Sequence, residues 1–212
     1  IPRLDALYER AGENGIRASL VSQAEIAERE PAIAGLKGIL VPEAAIVDYK
    51  EVLRALAAEI ESKGAEIRYS AQPSAIREGS DAVELDLPGG AIRARKLVAC
   101  AGLQSDRVAR MAGLKIRHRI VPFRGEYWRL RPEKSRVAQA MIYPVPEPGL
   151  PFLGVHLTPM IDGSMSVGPN AMLGFAREGY PKLSMDLRDM LDMASFPGFW
   201  GALAKNIRPG LD

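Results

Sequence analysis

The stretch from Asp48 to Gly64 leaves the chain the least freedom. Asp48 and Glu51 stand three apart, as capping side chains do at a helix start, and Val52, Leu56 and Ile60 recur at four-residue intervals on one face. Gly64 stands where a helix ends in the left-handed conformation. The pattern predicts a helix over 48–64. Directly behind it, Ala65-Glu66-Ile67-Arg68-Tyr69 alternates small or apolar with charged residues, the period of a strand with one buried face. Residues 73–77, 83–87 and 92–96 then read as a meander turned at Gly79-Ser80 and Gly89-Gly90. The run Leu97-Val98-Ala99-Cys100-Ala101 is almost wholly apolar, which predicts a strand covered on both faces in a parallel sheet and broken by Gly102. A short helix over 106–112 follows, with Gly113 at its end.

Upstream, residues 4–14 predict a helix closed by Asn14-Gly15, and 16–21 a short strand. A helix over 22–30 opens with a Ser22/Glu25 capping box and stops at Pro31, and 38–41 form a strand ended by Pro42. Downstream, strands are expected over 120–130, 140–143, 152–158 and 164–167, the last two joined through Asp162-Gly163, a strong hairpin signal. The proline-rich residues 143–151 read as a stiff connection between strands. Helices are expected over 185–194 and 199–206, and Ile207-Arg208-Pro209-Gly210 reads as a helix end. Strands and helices in this mixture predict an α/β (α+β) fold.

Composition narrows the class. A chain of 212 residues, 47% of them hydrophobic, buries a sizeable core in one large or two small domains. Its 28 basic and 26 acidic residues are interspersed and leave a charge of only +2, which gives no electrostatic case for nucleic acid. Cys100, the one cysteine, forms no intramolecular disulfide; its apolar run reads as packing, and its solitude fits a cytoplasmic chain. No apolar run approaches the roughly 20 residues of a membrane span, which leaves peripheral attachment open. The opening Ile1, running into Leu4, Leu7 and Tyr8 at helical spacing, reads as the interior of a longer protein. His118 and His156 have no cysteine or paired carboxylates at ligand spacing, so no metal site is expected. The hydrolase elbow, the nucleotide-triphosphate loop and the dinucleotide-binding glycine fingerprint have no match in the chain.

A series of blocks in order carries more. They are Ile46-Val47-Asp48-Tyr49, Cys100-Ala101-Gly102-Leu103-Gln104-Ser105-Asp106, Val121-Pro122-Phe123-Arg124-Gly125-Glu126-Tyr127, Ile142-Tyr143-Pro144-Val145-Pro146, Pro151-Phe152-Leu153-Gly154-Val155-His156-Leu157-Thr158, Val167-Gly168-Pro169-Asn170-Ala171 and Phe175-Ala176-Arg177-Glu178-Gly179-Tyr180. Together they resemble the L-2-hydroxyglutarate oxidase and dehydrogenase family, within the FAD enzymes similar to D-amino-acid and glycine oxidases. The resemblance implies FAD-dependent oxidation of a small 2-hydroxy acid. It also implies that the glycine-rich turn holding the FAD pyrophosphate lies before Ile1 and a further flavin segment after Asp212. On that basis 47–114 is part of an FAD-binding domain, and 1–46 with 115–212 form an antiparallel-sheet substrate domain. FAD is expected in the full-length protein and not on this fragment alone. A glycine- or sarcosine-oxidase type of amine oxidase and a non-catalytic module remain the alternatives.

The same resemblance assigns site residues, each against a plainer reading. His156, among Phe152, Leu153, Val155 and Leu157, is either a core histidine or the base that takes the substrate hydroxyl proton. Arg124, before Gly125, either anchors a substrate carboxylate through two parallel hydrogen bonds or makes an ordinary salt bridge to Glu126 or another acid. Tyr127 is a second contact to that carboxylate or a core aromatic. Thr158 and Asn170 are candidate polar contacts to the substrate. Arg177 serves a second carboxylate or is an exposed charge at a helix start. Ala101 and Gly102 fall at the carboxyl edge of the expected sheet, where open α/β folds place a ligand, and are read as cofactor-binding; a turn glycine is the alternative.

Overall fold

A computed structural model of the chain describes residues 2–147, 154–181 and 183–206. Residues 152 and 153, where one strand was expected to begin, and the expected helix end over 207–210 lie outside them. The fold is mixed α/β, with sixteen helical and strand elements among the described residues, in which helices alternate with small sheets. It divides into two compact units, residues 1–56 with 125–171 and residues 57–124 with 172–212.

In the first unit α1 (Pro2–Glu13) buries Leu4, and Gly15 follows it at φ +69°. Strands β1 (Ser19–Ser22) and β2 (Lys37–Leu40) pair antiparallel, with Ser19 opposite Leu40. Between them α2 (Gln23–Arg29) starts on the expected capping box: the Ser22 hydroxyl accepts from the Glu25 amide, and the Glu25 carboxylate accepts from the Ser22 amide at 2.7 Å. A salt bridge of 2.5 Å from Lys37 to Asp5 ties β2 to α1.

Helix α3 (Tyr49–Ser62) fulfils the strongest sequence signal, with Gly64 at φ +81° behind it. The meander follows as β3 (Ala75–Glu78), β4 (Val83–Leu87) and β5 (Gly90–Ala94), antiparallel in that order, with Ile76 of β3 buried. Helix α4 (Ser105–Met111) precedes Gly113 at φ +82°. A second three-stranded sheet has the order β6-β8-β7, built from β6 (Phe123–Arg129), β7 (His156–Pro159) and β8 (Met165–Leu173). Helices α5 (Leu187–Ala194) and α6 (Pro197–Asn206) are the last described elements and bury Met193 and Phe199.

Several sequence expectations are corrected. Residues 65–69 and 97–101 form no strand, since among the described residues neither run has a neighbour to complete a hydrogen-bonded ladder. Val98 is 84% exposed, and Cys100 is exposed rather than packed. The strand expected over 140–143 shrinks to a single bridge, Ile142 to Leu157. Strand β8 runs well past its expected end at 167 because it is the central strand, paired on both sides.

Candidate active site

The geometry around His156 begins with the hairpin that carries it. Asp162 Oδ1 accepts from the Ser164 amide at 3.0 Å and from its hydroxyl at 2.6 Å, and Gly163 takes φ +78°, a value costly for any residue with a Cβ. The Met160 amide donates to the Ser164 carbonyl at 2.8 Å and closes the turn. That closure sets the register of β7 on β8: His156 lies opposite Gly168, and Thr158 opposite Ser166. A Cβ at Gly168 would stand 2.8 Å from the Glu126 carbonyl oxygen and 2.9 Å from the Tyr127 ring, so the glycine lets β6 approach this closely.

His156 is buried against two tyrosines. The Tyr143 ring lies over the imidazole with centroids 4.5 Å apart and planes 31° apart, and the Tyr127 ring meets it edge-to-face at 6.3 Å and 76°. His156 Nδ1 stands 3.0 Å from the Gly154 carbonyl oxygen. A carbonyl has no proton to give, so Nδ1 carries the hydrogen, and a neutral ring then holds its lone pair on Nε2. The plain core-histidine reading accounts for the burial. The fixed tautomer leaves Nε2 as the atom able to take a proton.

The other expected residues are distributed. Thr158 is two positions along β7 from His156, on the same strand face, and half-buried. Tyr127 and His156 are brought together. The carboxamide oxygen of Asn170 accepts from the Glu126 amide at 3.0 Å and links β8 to β6. Arg124, on β6, donates to the Pro181 carbonyl at 3.2 Å. Ala101 and Gly102 begin a one-turn 3-10 helix (Gly102–Gln104), in which Gly102 is exposed at φ +50° with open space where a Cβ would stand. Tyr143 had no site role in the sequence: it was only the last residue of the strand expected over 140–143, and nothing in the proline-rich run 143–151 marks which residue will face the imidazole.

Arg177 is not an exposed helix-start charge. Its side chain is 2% exposed and lies against Asp106, which is wholly buried. One guanidinium nitrogen donates to Asp106 and, at 2.8 Å, to the Leu103 carbonyl; the other donates to Asp106 at 2.9 Å and to Asp192 at 3.0 Å. The partner that draws it inward is 71 residues away in sequence, which local pattern cannot reveal. Burial pushes the Asp106 carboxyl up, but hydrogen bonds from Arg177 and the Ile120 amide, with the charges of Arg177 and Arg110, outweigh it and hold the group well below the usual carboxylate range. The hydrogen bond to Asp106 likewise raises the Arg177 guanidinium. Arg107 on Asp189 and Arg119 on Asp192 complete the cluster, which clamps α4 to α5.

Among the described residues no group of side chains is placed to hold a metal ion, and no helix is long and apolar enough to cross a membrane. Residues 1–200 match the family model described as FAD dependent oxidoreductase. The chain is 45% identical over 210 residues to the L-2-hydroxyglutarate dehydrogenase of Escherichia coli (strain K12), covering 99% of this chain and 50% of that protein. It thus spans about half the length of the curated relatives it matches. Its fold is similar to that of the FAD-bound L-alpha-glycerophosphate oxidase of Mycoplasma pneumoniae, with a TM-score of 0.75 at 21% identity over 86% of this chain and 50% of that one. The glycine oxidase of Bacillus cereus ATCC 14579 gives 0.63 at 18% identity over 91% and 51%.

Proposed function

We propose, from the premise that the chain belongs to the FAD dependent oxidoreductase family, that it supplies the substrate-handling residues of an enzyme oxidising a small 2-hydroxy acid, L-2-hydroxyglutarate, to the 2-oxo acid. The observation that carries this reading is His156, buried against Tyr143 and Tyr127 with Nδ1 committed to the Gly154 carbonyl. Alcohol oxidation breaks the hydroxyl O–H bond and the C2–H bond and forms the ketone. His156 Nε2 takes the hydroxyl proton. Bound FAD supplies the acceptor for the hydride that leaves C2. Arg124 holds the substrate carboxylate, and Tyr127, Thr158 and Asn170 add polar contacts; orientation of this kind supplies a large share of such catalysis.

The backbone at Ala101 and Gly102 suits the cofactor, because the left-handed Gly102 is exposed and no side chain fills the space above it. On this reading 47–114 serves the cofactor, and 1–46 with 115–212 the substrate. The 45% identity to a protein named L-2-hydroxyglutarate dehydrogenase supports the choice of substrate.

The test is turnover in FAD-reconstituted enzyme carrying this chain, with L-2-hydroxyglutarate, glycine and sarcosine as substrates. Faster oxidation of either amine would overturn the reading. His156→Gln should lower kcat by about 10²–10⁴ with little change in KM, the range for losing a general base. Arg124→Lys should chiefly raise KM, since lysine cannot make the two-pronged carboxylate contact.

A further inference from the structure

A buried carboxylate far from His156 in sequence is wired to it. Glu30, the residue that ends α2, is only 8% exposed. Its two oxygens together collect successive backbone amides more than a hundred residues away: Oε1 accepts from Gln139 at 3.1 Å and Ala140 at 2.8 Å, and Oε2 from Gln139 at 2.8 Å. Two residues beyond this anchor, Ile142 exchanges hydrogen bonds of 2.9 and 3.0 Å with Leu157. In that antiparallel register the next pair is Tyr143 opposite His156, and there the rings stack. The far side is fixed as well. A Cβ at Gly154 would meet the Pro144 ring at 2.6 Å, so glycine at 154 lets Pro144 pack against the residue whose carbonyl holds Nδ1.

We propose that Glu30 and Tyr143 are positioning residues for His156: Glu30 pins the segment that lays Tyr143 over the imidazole, and the stacked ring keeps the imidazole turned so that Nδ1 stays on the Gly154 carbonyl and Nε2 is the nitrogen presented. This rests on the reading of His156 as the base, but it concerns ring orientation and can be measured without cofactor or substrate.

The chain holds two histidines, so imidazole ¹⁵N spectra give two ring systems, and His118→Gln assigns them. At a pH where the ring is neutral, His156 should show one protonated nitrogen at Nδ1 and one lone-pair nitrogen at Nε2, with widely separated resonances. Tyr143→Leu should collapse that separation toward a tautomer average, and Tyr143→Phe, which restores a ring, should recover it. Glu30→Gln should collapse it too, because both Glu30 oxygens accept and the carboxamide sets a donor against a backbone amide. Tyr143 is half exposed, so its variants decide the matter if Glu30→Gln does not fold.

Folded Tyr143→Leu or Glu30→Gln protein with the parental His156 pattern would overturn the proposal. A role confined to loop stability predicts that result, with only a lower Tm. If the pattern collapses as expected while His156→Gln enzyme keeps its turnover, positioning stands and the base assignment falls. A parental pattern in the variants, with turnover lost in His156→Gln, means the reverse.

Discussion

Asp106 joins a low-dielectric position to the charges that pay for it. Its carboxylate is wholly buried and bonded by Arg177, Arg110 and the Ile120 amide. Asp106→Asn leaves Arg177 with part of its compensation gone, and removing one partner of a buried pair costs about 3–5 kcal/mol. Urea unfolding at neutral pH should register that loss, with Arg177→Lys weakened in the same direction because one ammonium cannot serve Asp106, Asp192 and the Leu103 carbonyl together. The sign with pH follows from the depressed carboxyl. Its stabilisation is complete above the unfolded value of about 4 and is lost as pH falls through the lower folded value. Urea midpoints should therefore fall more steeply below about pH 4 in the parent than in Asp106→Asn; parallel curves would refute the assignment.

Elements declared by a local rule were legible in the sequence, and those that depend on a distant partner were not. The Ser22/Glu25 box, the Asp48-to-Gly64 helix and the Asp162-Gly163 hairpin each state their geometry within a few residues, and each forms. Residues 97–101 had the composition of a covered strand, but composition provides no neighbour, and the run stays outside any ladder. The candidate site divides the same way: His156 and Tyr127, both named from the sequence, lie near each other, whereas Tyr143, Glu30 and the burial of Arg177 depend on pairings across long separations. Close approach of β6 to β8 gives a prediction at this scale. Gly168→Ala forces a methyl to 2.8 Å from the Glu126 carbonyl, a backbone atom that yields little. Overpacking of this sort costs about 1–3 kcal/mol, so the thermal midpoint should drop, and an unchanged midpoint would mean the strands can part without penalty.

For the molecule as a whole, α3 presents Tyr49, Leu53, Leu56 and Ile60 at spacings of four, three and four, all exposed. A helix that buries nothing with this stripe gains little from it. Replacing Leu53 and Leu56 with Gln should change unfolding free energy by no more than about 0.5 kcal/mol each, the range for surface sites. The same change should reduce binding of a hydrophobic dye; a large loss of stability would show that the stripe is packed. Strand order has a consequence of another kind. Because β8 lies between β6 and β7, neither outer strand has its partner until residues 165–173 have been made. A ribosome delivering this chain releases β6 first and holds its edge open while more than thirty further residues follow, and Glu30 waits longer still for the amides of Gln139 and Ala140. The histidine site is therefore assembled only once β8 has been made, and until then β6 is an unpaired edge, the state in which a chaperone has most to protect.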